Sequence, residues 1–253
     1  TGEAINGARR LLDLGFSTLQ TSEIIKVTLP VFLAAYLFDK PLPISLKNTF
    51  LTLLLIFFIV NLIRIQPDLG TSLVILIAGL YILFLAGLSW RFIGISSSLF
   101  ILSLPFIWNN LLEAFQKQRV LTLLDPNADP YGSGWNITQS QTAIGSGGYF
   151  GKGYLEGTQS QLNFIPESHS DFIFSVIGEE FGLVGITCLF VIYGIIIWRI
   201  FSIGLSARSA FERLACCSLG FIFLLFILIN VSMVVGIIPV VGVPLPLISQ
   251  GGT

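Results

Sequence analysis

Six nearly uninterrupted apolar runs constrain this chain most, near residues 22–38, 48–63, 70–88, 92–108, 172–198 and 214–238. About twenty such residues in a helix cross the roughly 30 Å hydrocarbon layer of a bilayer. Inside that layer a backbone can satisfy its own N–H and C=O groups only as a helix or a closed barrel. A seventh run begins near Pro244. Charged residues make up only 11% of the chain and hydrophobic ones 54%, where a soluble domain carries about a quarter charged residues. The expectation is an all-α polytopic membrane protein with six transmembrane helices and the start of a seventh. A net charge of −1 argues against a nucleic-acid partner. The cysteines, Cys188, Cys216 and Cys217, lie in apolar stretches without metal-ligand spacing and read as small packed side chains. Both ends read as cut from a longer sequence, so residues 1–253 are expected to be a fragment forming a single membrane domain.

The distribution of basic residues sets the orientation, because loops rich in Lys and Arg stay cytoplasmic. Lys40 and Lys47, then Arg91, then Arg199, Arg208 and Arg213 fall in alternate loops. The opposite, outer side receives the N-terminal segment, the turn at 64–69, a long polar loop at about 109–171 and the turn at 239–243. That long loop carries Gly145-Ser146-Gly147-Gly148, Gly151-Lys152-Gly153 and Gly157-Thr158-Gln159-Ser160-Gln161. It ends in Pro166-Glu167-Ser168-His169-Ser170-Asp171. Long ordered loops on a rigid scaffold are where binding and chemistry tend to sit. A carboxylate where the chain re-enters lipid, Asp171, is therefore a candidate for work at the membrane surface; Asp171 and Ser170 also suit the N-cap of the helix that follows.

Ionisable groups within or beside the spans form the second signal, since each costs about 2.5–3.5 kcal/mol in hydrocarbon unless paired or wetted. Glu23 and Lys26 lie three apart and share one helix face, which suits an ion pair as well as substrate contact. Asp68 follows Pro67 at a turn and suits a helix cap equally well. Glu179 and Glu180, about two turns into the fifth run, predict a polar contact between helices.

Several segments carry a family resemblance. They are Gly7-Ala8-Arg9-Arg10, Gln20-Thr21-Ser22-Glu23, Gln66-Pro67-Asp68-Leu69-Gly70-Thr71 and Pro166-Glu167-Ser168-His169-Ser170-Asp171-Phe172-Ile173-Phe174. The match continues through Gly178-Glu179-Glu180-Phe181-Gly182-Leu183-Val184-Gly185 and Pro239-Val240-Val241-Gly242-Val243-Pro244-Leu245-Pro246-Leu247. In this order they resemble the SEDS family (shape, elongation, division and sporulation proteins). Gly157-Thr158-Gln159-Ser160-Gln161-Leu162 and Phe84-Leu85-Ala86-Gly87-Leu88-Ser89-Trp90 resemble its RodA branch rather than the FtsW branch. The chain departs from the family pattern at Thr21, at Leu11 and at its final Gln250-Gly251-Gly252-Thr253. The family's ten-helix plan implies that about three N-terminal helices and most of the last helix lie outside this sequence.

The resemblance implies a peptidoglycan glycosyltransferase that polymerises lipid II into glycan strands at the outer face of the bacterial cytoplasmic membrane during cell elongation. It also implies a class B penicillin-binding protein (the transpeptidase) and the elongation machinery as partners, and it places the essential aspartate of the family's large extracellular loop on Asp171.

The chemistry suits a single carboxylate. A sugar hydroxyl attacking an anomeric carbon benefits from a positioned base by about 10²–10⁴-fold. A pyrophosphate leaves without a proton, whereas hydrolysis of an ordinary glycoside uses two carboxyl groups. His169, the sole histidine, is a rival base but is read as contacting sugar or orienting the loop. Charge on the leaving group calls for cations; Arg10, Lys26, Lys117, Arg119 and Lys152 are the candidates, with Glu23 and Asp68 completing a polar substrate cleft. No Asp, Glu and His cluster shows metal spacing, so no cofactor is expected, with divalent-ion assistance left open. The glycine runs would let backbone amides approach a phosphate or sugar closely. The competing reading is a lipid II flippase, which needs the same polar cleft but no base fixed at one face. A scaffold that only recruits the penicillin-binding partner leaves the charged pairs without a purpose.

Overall fold

The computed structural model describes residues 11–13, 18–41, 43–66, 69–125, 129, 132–162, 164 and 169–250. A short antiparallel pair, β1 (Leu11–Asp13) with β2 (Thr18–Gln20), comes first. Helices α1 (Thr21–Leu37), α2 (Leu46–Ile65), α3 (Leu69–Leu85) and α4 (Trp90–Phe106) follow. The chain ends with α8 (Ile173–Ser206) and α9 (Ala210–Val235). All six expected spans are helices. Leu46–Ile65, Trp90–Leu111, Ile173–Ser206 and Ala210–Val235 are long and apolar enough to cross a membrane, and the chain is an all-α polytopic membrane protein. α1 and α3, at 17 residues each, fall just short of that length.

The helix ends follow local chemistry. Ser45 Oγ accepts from Asn48 N–H at the start of α2, and Ser89 Oγ accepts from Phe92 N–H at the start of α4. Gly87, at φ +87°, and Gly236, at φ +80°, take the left-handed conformation just beyond α3 and α9.

The chain forms two compact units, one of residues 1–96 and 197–225, the other of 97–196 and 226–253. In the first, Leu29, Leu33 and Leu37 of α1 recur every four residues and meet Ile56 and Ile63 of α2 and Ile75, Ile82 and Leu83 of α3 in one buried cluster. Gly79 lets α2 and α3 approach: a Cβ there would stand 2.8 Å from Ile56. Tyr81 stacks on Phe221 with ring centroids 3.9 Å apart.

The second unit holds the long loop, which is more structured than a polar connection. α4 runs into a π-helical turn at Ile107–Leu111, then α5 (Ala114–Leu124), α6 (Ser133–Ser146) and the single-turn α7 (Thr158–Gln161). Glu113 and Gln116 form a reciprocal capping box on α5.

One expectation is corrected here. No seventh helix starts at Pro244 among the described residues: 239–245 have no regular secondary structure, and 246–250 form turns and a bend. Pro244 and Pro246 each disfavour the helical region for the residue before them, Val243 and Leu245, and Leu247 sits at φ +65°.

Candidate active site

Asp171 opens the last turn before α8, and a chain of hydrogen bonds holds its backbone. Gln250 N–H donates to His169 O at 2.9 Å, and Ser249 Oγ donates to Ser170 O at 2.6 Å. Asn230 Nδ2 donates to Asp171 O at 2.8 Å, and Ser175 N–H and Oγ both donate to Phe172 O. Four successive carbonyls thus find donors, which fixes the main chain while Asp171 itself stays partly exposed. Phe172 is buried at its side.

The segment that partners it in this arrangement is 236–250. Fully buried Asn230, on α9, bridges Asp171 O and Val243 O (2.7 Å) through one amide nitrogen. Ser249 Oγ also accepts from Leu245 N–H, and Tyr193 Oη donates to Pro246 O. Gly242, at φ +70°, lies against the carboxylate, where a Cβ would come within 3.3 Å of Asp171 Oδ2. From the loop side, Arg119 Nη1 donates to Val240 O (2.9 Å) and Gln141 Nε2 to Val235 O (2.8 Å). The segment beside Asp171 is therefore tied to α5, and the end of α9 that leads into it to α6.

Deeper along α8 lies a second acid. Glu179 is fully buried. Its Oε1 accepts from Lys152 Nζ (2.6 Å), Thr158 Oγ1 (3.1 Å) and Gln159 N–H (3.0 Å). Three residues on, Gly182 breaks the helix at φ +63°. The carbonyls and amides released by the break pair with the glycine-rich loop. Lys152 N–H and Gly153 N–H donate to Glu179 O and Glu180 O, while Leu183 N–H and Val184 N–H donate to Gly148 O and Tyr149 O. Only glycine fits this seam: a Cβ on Gly151 would meet Glu180 O at 2.0 Å, and one on Gly147 would meet Gly178 O at 2.0 Å.

The expected site residues therefore take different places. Asp171 and exposed His169 lie side by side on the turn held by 249–250. Arg119 spends one N–H on Val240 O and lies 5.8 Å from the Phe115 ring. Lys117 Nζ reaches Asn109 O. Lys152 is an ion-pair partner rather than a solvated cation, and the amides of Lys152 and Gly153 serve α8. Glu179 reaches this loop and α7, where the sequence led to a contact between spans. In the other unit, Glu23 and buried Lys26 form an ion pair within α1. Arg10 and Asp68 lie outside the described residues. Among the described residues no His, Cys, Asp and Glu cluster has metal-binding geometry.

Asn230, Gln141 and Ser249 went unnoticed in the sequence. Asn230 carried a signal: an amide in the middle of an apolar run needs hydrogen-bond partners. Gln141 and Ser249 carried none, because their partners are main-chain carbonyls far away in sequence.

Comparison with known proteins gives this geometry its setting. Residues 1–253 match the cell cycle protein family FtsW/RodA/SpoVE along their whole length. The chain is 49% identical to peptidoglycan glycosyltransferase MrdB of Escherichia coli K12, covering all of this chain and 68% of that protein. It is 36% identical to a probable peptidoglycan glycosyltransferase FtsW of Aliivibrio salmonicida, again over the whole chain and 64% of the relative. A solved chain from work on how a peptidoglycan synthase complex coordinates polymerisation and crosslinking superposes at a TM-score of 0.81. It is 33% identical, over 99% of this chain and 69% of that one. The rod-shape-determining protein RodA of Thermus thermophilus superposes at 0.66, with 29% identity over 99% of this chain and 65% of that one. The chain belongs to the FtsW/RodA/SpoVE family, and it is a peptidoglycan glycosyltransferase of the glycan-polymerising, elongation type.

Proposed function

We propose that Asp171 is the general base of glycan polymerisation. The observation carrying this reading is the clamp on its main chain: three neighbouring carbonyls are held by Asn230, Ser249 and Gln250 while the side chain borders Gly242. A base gains most when it is held in place before substrate arrives. The carboxylate takes the proton from the 4-hydroxyl of one sugar as that oxygen bonds to the anomeric carbon of the other. The bond from that carbon to the lipid pyrophosphate breaks, and the pyrophosphate leaves as the anion.

The substrate in this reading is lipid II, presented at the outer face of the bacterial cytoplasmic membrane, with the loop 109–171 on that side. His169 contacts sugar beside the base. The leaving group is neutralised by side-chain cations, Arg10 and Lys26 foremost, with Glu23 and Asp68 polar neighbours, rather than by a protein-built metal site. Lys117 and Arg119 hold the loop and headgroups, and Lys152 acts through the loop's architecture. A class B penicillin-binding transpeptidase is the partner. Its support is that the chain's fold matches one solved in a peptidoglycan synthase complex.

The test uses full-length protein with its transpeptidase and purified lipid II, scoring glycan polymer and lipid II translocation together. Asp171→Ala is expected to abolish polymer while membrane insertion and partner binding persist. Undiminished polymer from this variant removes the base role; translocation at the normal rate with no polymer from the unmutated protein would favour a flippase.

A further inference from the structure

The glycine-rich loop presents an aromatic surface with no use in the site above. Tyr149 is 74% exposed, Phe150 84% and Tyr154 71%, with Leu155 exposed beside them at φ +62°. Exposed apolar groups gathered in one short loop mark a contact surface. What that surface meets follows from where the loop is fastened. Its carbonyls at Gly148 and Tyr149 accept from Leu183 and Val184, at the beginning of residues 181–198, the uncharged stretch of α8 between Glu180 and Arg199. At about 1.5 Å per residue that stretch spans about 27 Å, close to a hydrocarbon thickness. The loop is thus level with one end of it. Trp198 marks the other end.

The aromatic surface also continues an exposed apolar one. Val184, Cys188, Val191 and Ile195 recur at helical spacing on α8 and are all exposed, and the Tyr154 ring lies 6.2 Å from Phe181. Tyrosine and other aromatic side chains favour the boundary between hydrocarbon and headgroups. Several of the loop's own polar groups suit that depth, since the amides of Lys152 and Gly153 and the Lys152 ammonium are matched by α8.

From this we propose that Tyr149, Phe150, Tyr154 and Leu155 seat in the outer-leaflet interface of the phospholipid bilayer. The loop is then an anchor that fixes the height of α8 in the membrane. Counting back ten residues from Phe181 at about 1.5 Å each, Asp171 stands about 15 Å outside the hydrocarbon edge. That height suits sugars carried above a membrane-bound pyrophosphate.

The test places spin labels at Phe150→Cys and Tyr154→Cys in full-length protein lacking its native cysteines, reconstituted in phosphatidylethanolamine and phosphatidylglycerol vesicles. Ile192→Cys and Glu156→Cys serve as lipid and water references. Accessibility to oxygen is expected to exceed that to a soluble nickel chelate at 150 and 154, as at 192, with the order reversed at 156. Greater chelate accessibility at 150 and 154 would put the loop in water and overturn the proposal. Low accessibility to both reagents would overturn it too, because protein would then cover the surface. A Phe150→Trp variant that keeps the native cysteines gives an independent reading: its added emission is expected to be quenched by lipids brominated near the headgroup, and absence of that quenching counts against the anchor. Neither readout depends on Asp171 or on catalysis.

Discussion

Asp171 and Glu179 stand eight residues apart on one stretch of chain, and their surroundings differ in kind. At Glu179 the side chain is the fixed part: fully buried, it collects a lysine, a threonine and a backbone amide and ties the glycine-rich loop to α8. At Asp171 the main chain is the fixed part, and the partly exposed carboxylate borders the Gly242 turn. A carboxylate whose oxygens already hold an ammonium ion has little left to offer a substrate. One whose backbone is immobilised can be aimed. In the reading proposed above, the contrast separates an acid that builds the fold from the base of glycan polymerisation.

The contrast breaks most sharply at Asp171. Asp171→Asn keeps shape and backbone contacts, so turnover is expected to fall by about 10²–10⁴-fold with thermal stability unchanged, read from polymerisation assays beside melting curves.

Glu179→Gln should show the converse. Breaking a buried ion pair costs about 3–5 kcal/mol; because the Lys152 side chain is 27% exposed, the expected loss lies near about 2–3 kcal/mol. Activity should follow the folded fraction. Replacing both charges, Glu179→Leu with Lys152→Met, should recover part of that stability and of the activity. Recovered stability without recovered polymerisation would mean that Lys152 binds substrate directly.

Much of this contrast was legible beforehand. Hydropathy placed six helices, four of them long and apolar enough to cross a membrane, because burial in lipid leaves an apolar backbone no choice but helix. The position of Asp171 at the loop's end marked it out. The rest was hidden for stated reasons. Gly147 and Gly151 read as part of a loop whose amides approach a phosphate or sugar, and Gly182 as part of a span, while all three permit contact between two backbones, and sequence does not say which backbones meet. Lys152 read as a free cation because its partner is 27 residues away. Pro244 to Leu247 read as the start of a span because composition resembles one, although two prolines push the residues before them out of the helical region.

Asn230→Leu sharpens the comparison from the other side. It removes both amide hydrogen bonds at once, leaving Asp171 O and Val243 O without that donor, at a cost of about 1–3 kcal/mol. Polymerisation should fall more than stability accounts for, chiefly in kcat rather than in KM, since aim and not affinity is lost. Asn230→Gln, with the same donor on a longer arm, should restore part of it.

The smallest effect belongs to Arg119→Ala. Its bond to Val240 O is exposed, so about 0.5–1.5 kcal/mol is expected, measured as a shift in melting temperature of the full-length protein.

The most direct test of the central claim is a single-turnover experiment on bound lipid II, comparing unmutated protein with Asp171→Asn in complex with the transpeptidase. The account predicts lipid II retained at unchanged affinity and formation of the glycosidic bond slowed at least about 100-fold. Bond formation at the unmutated rate would contradict it.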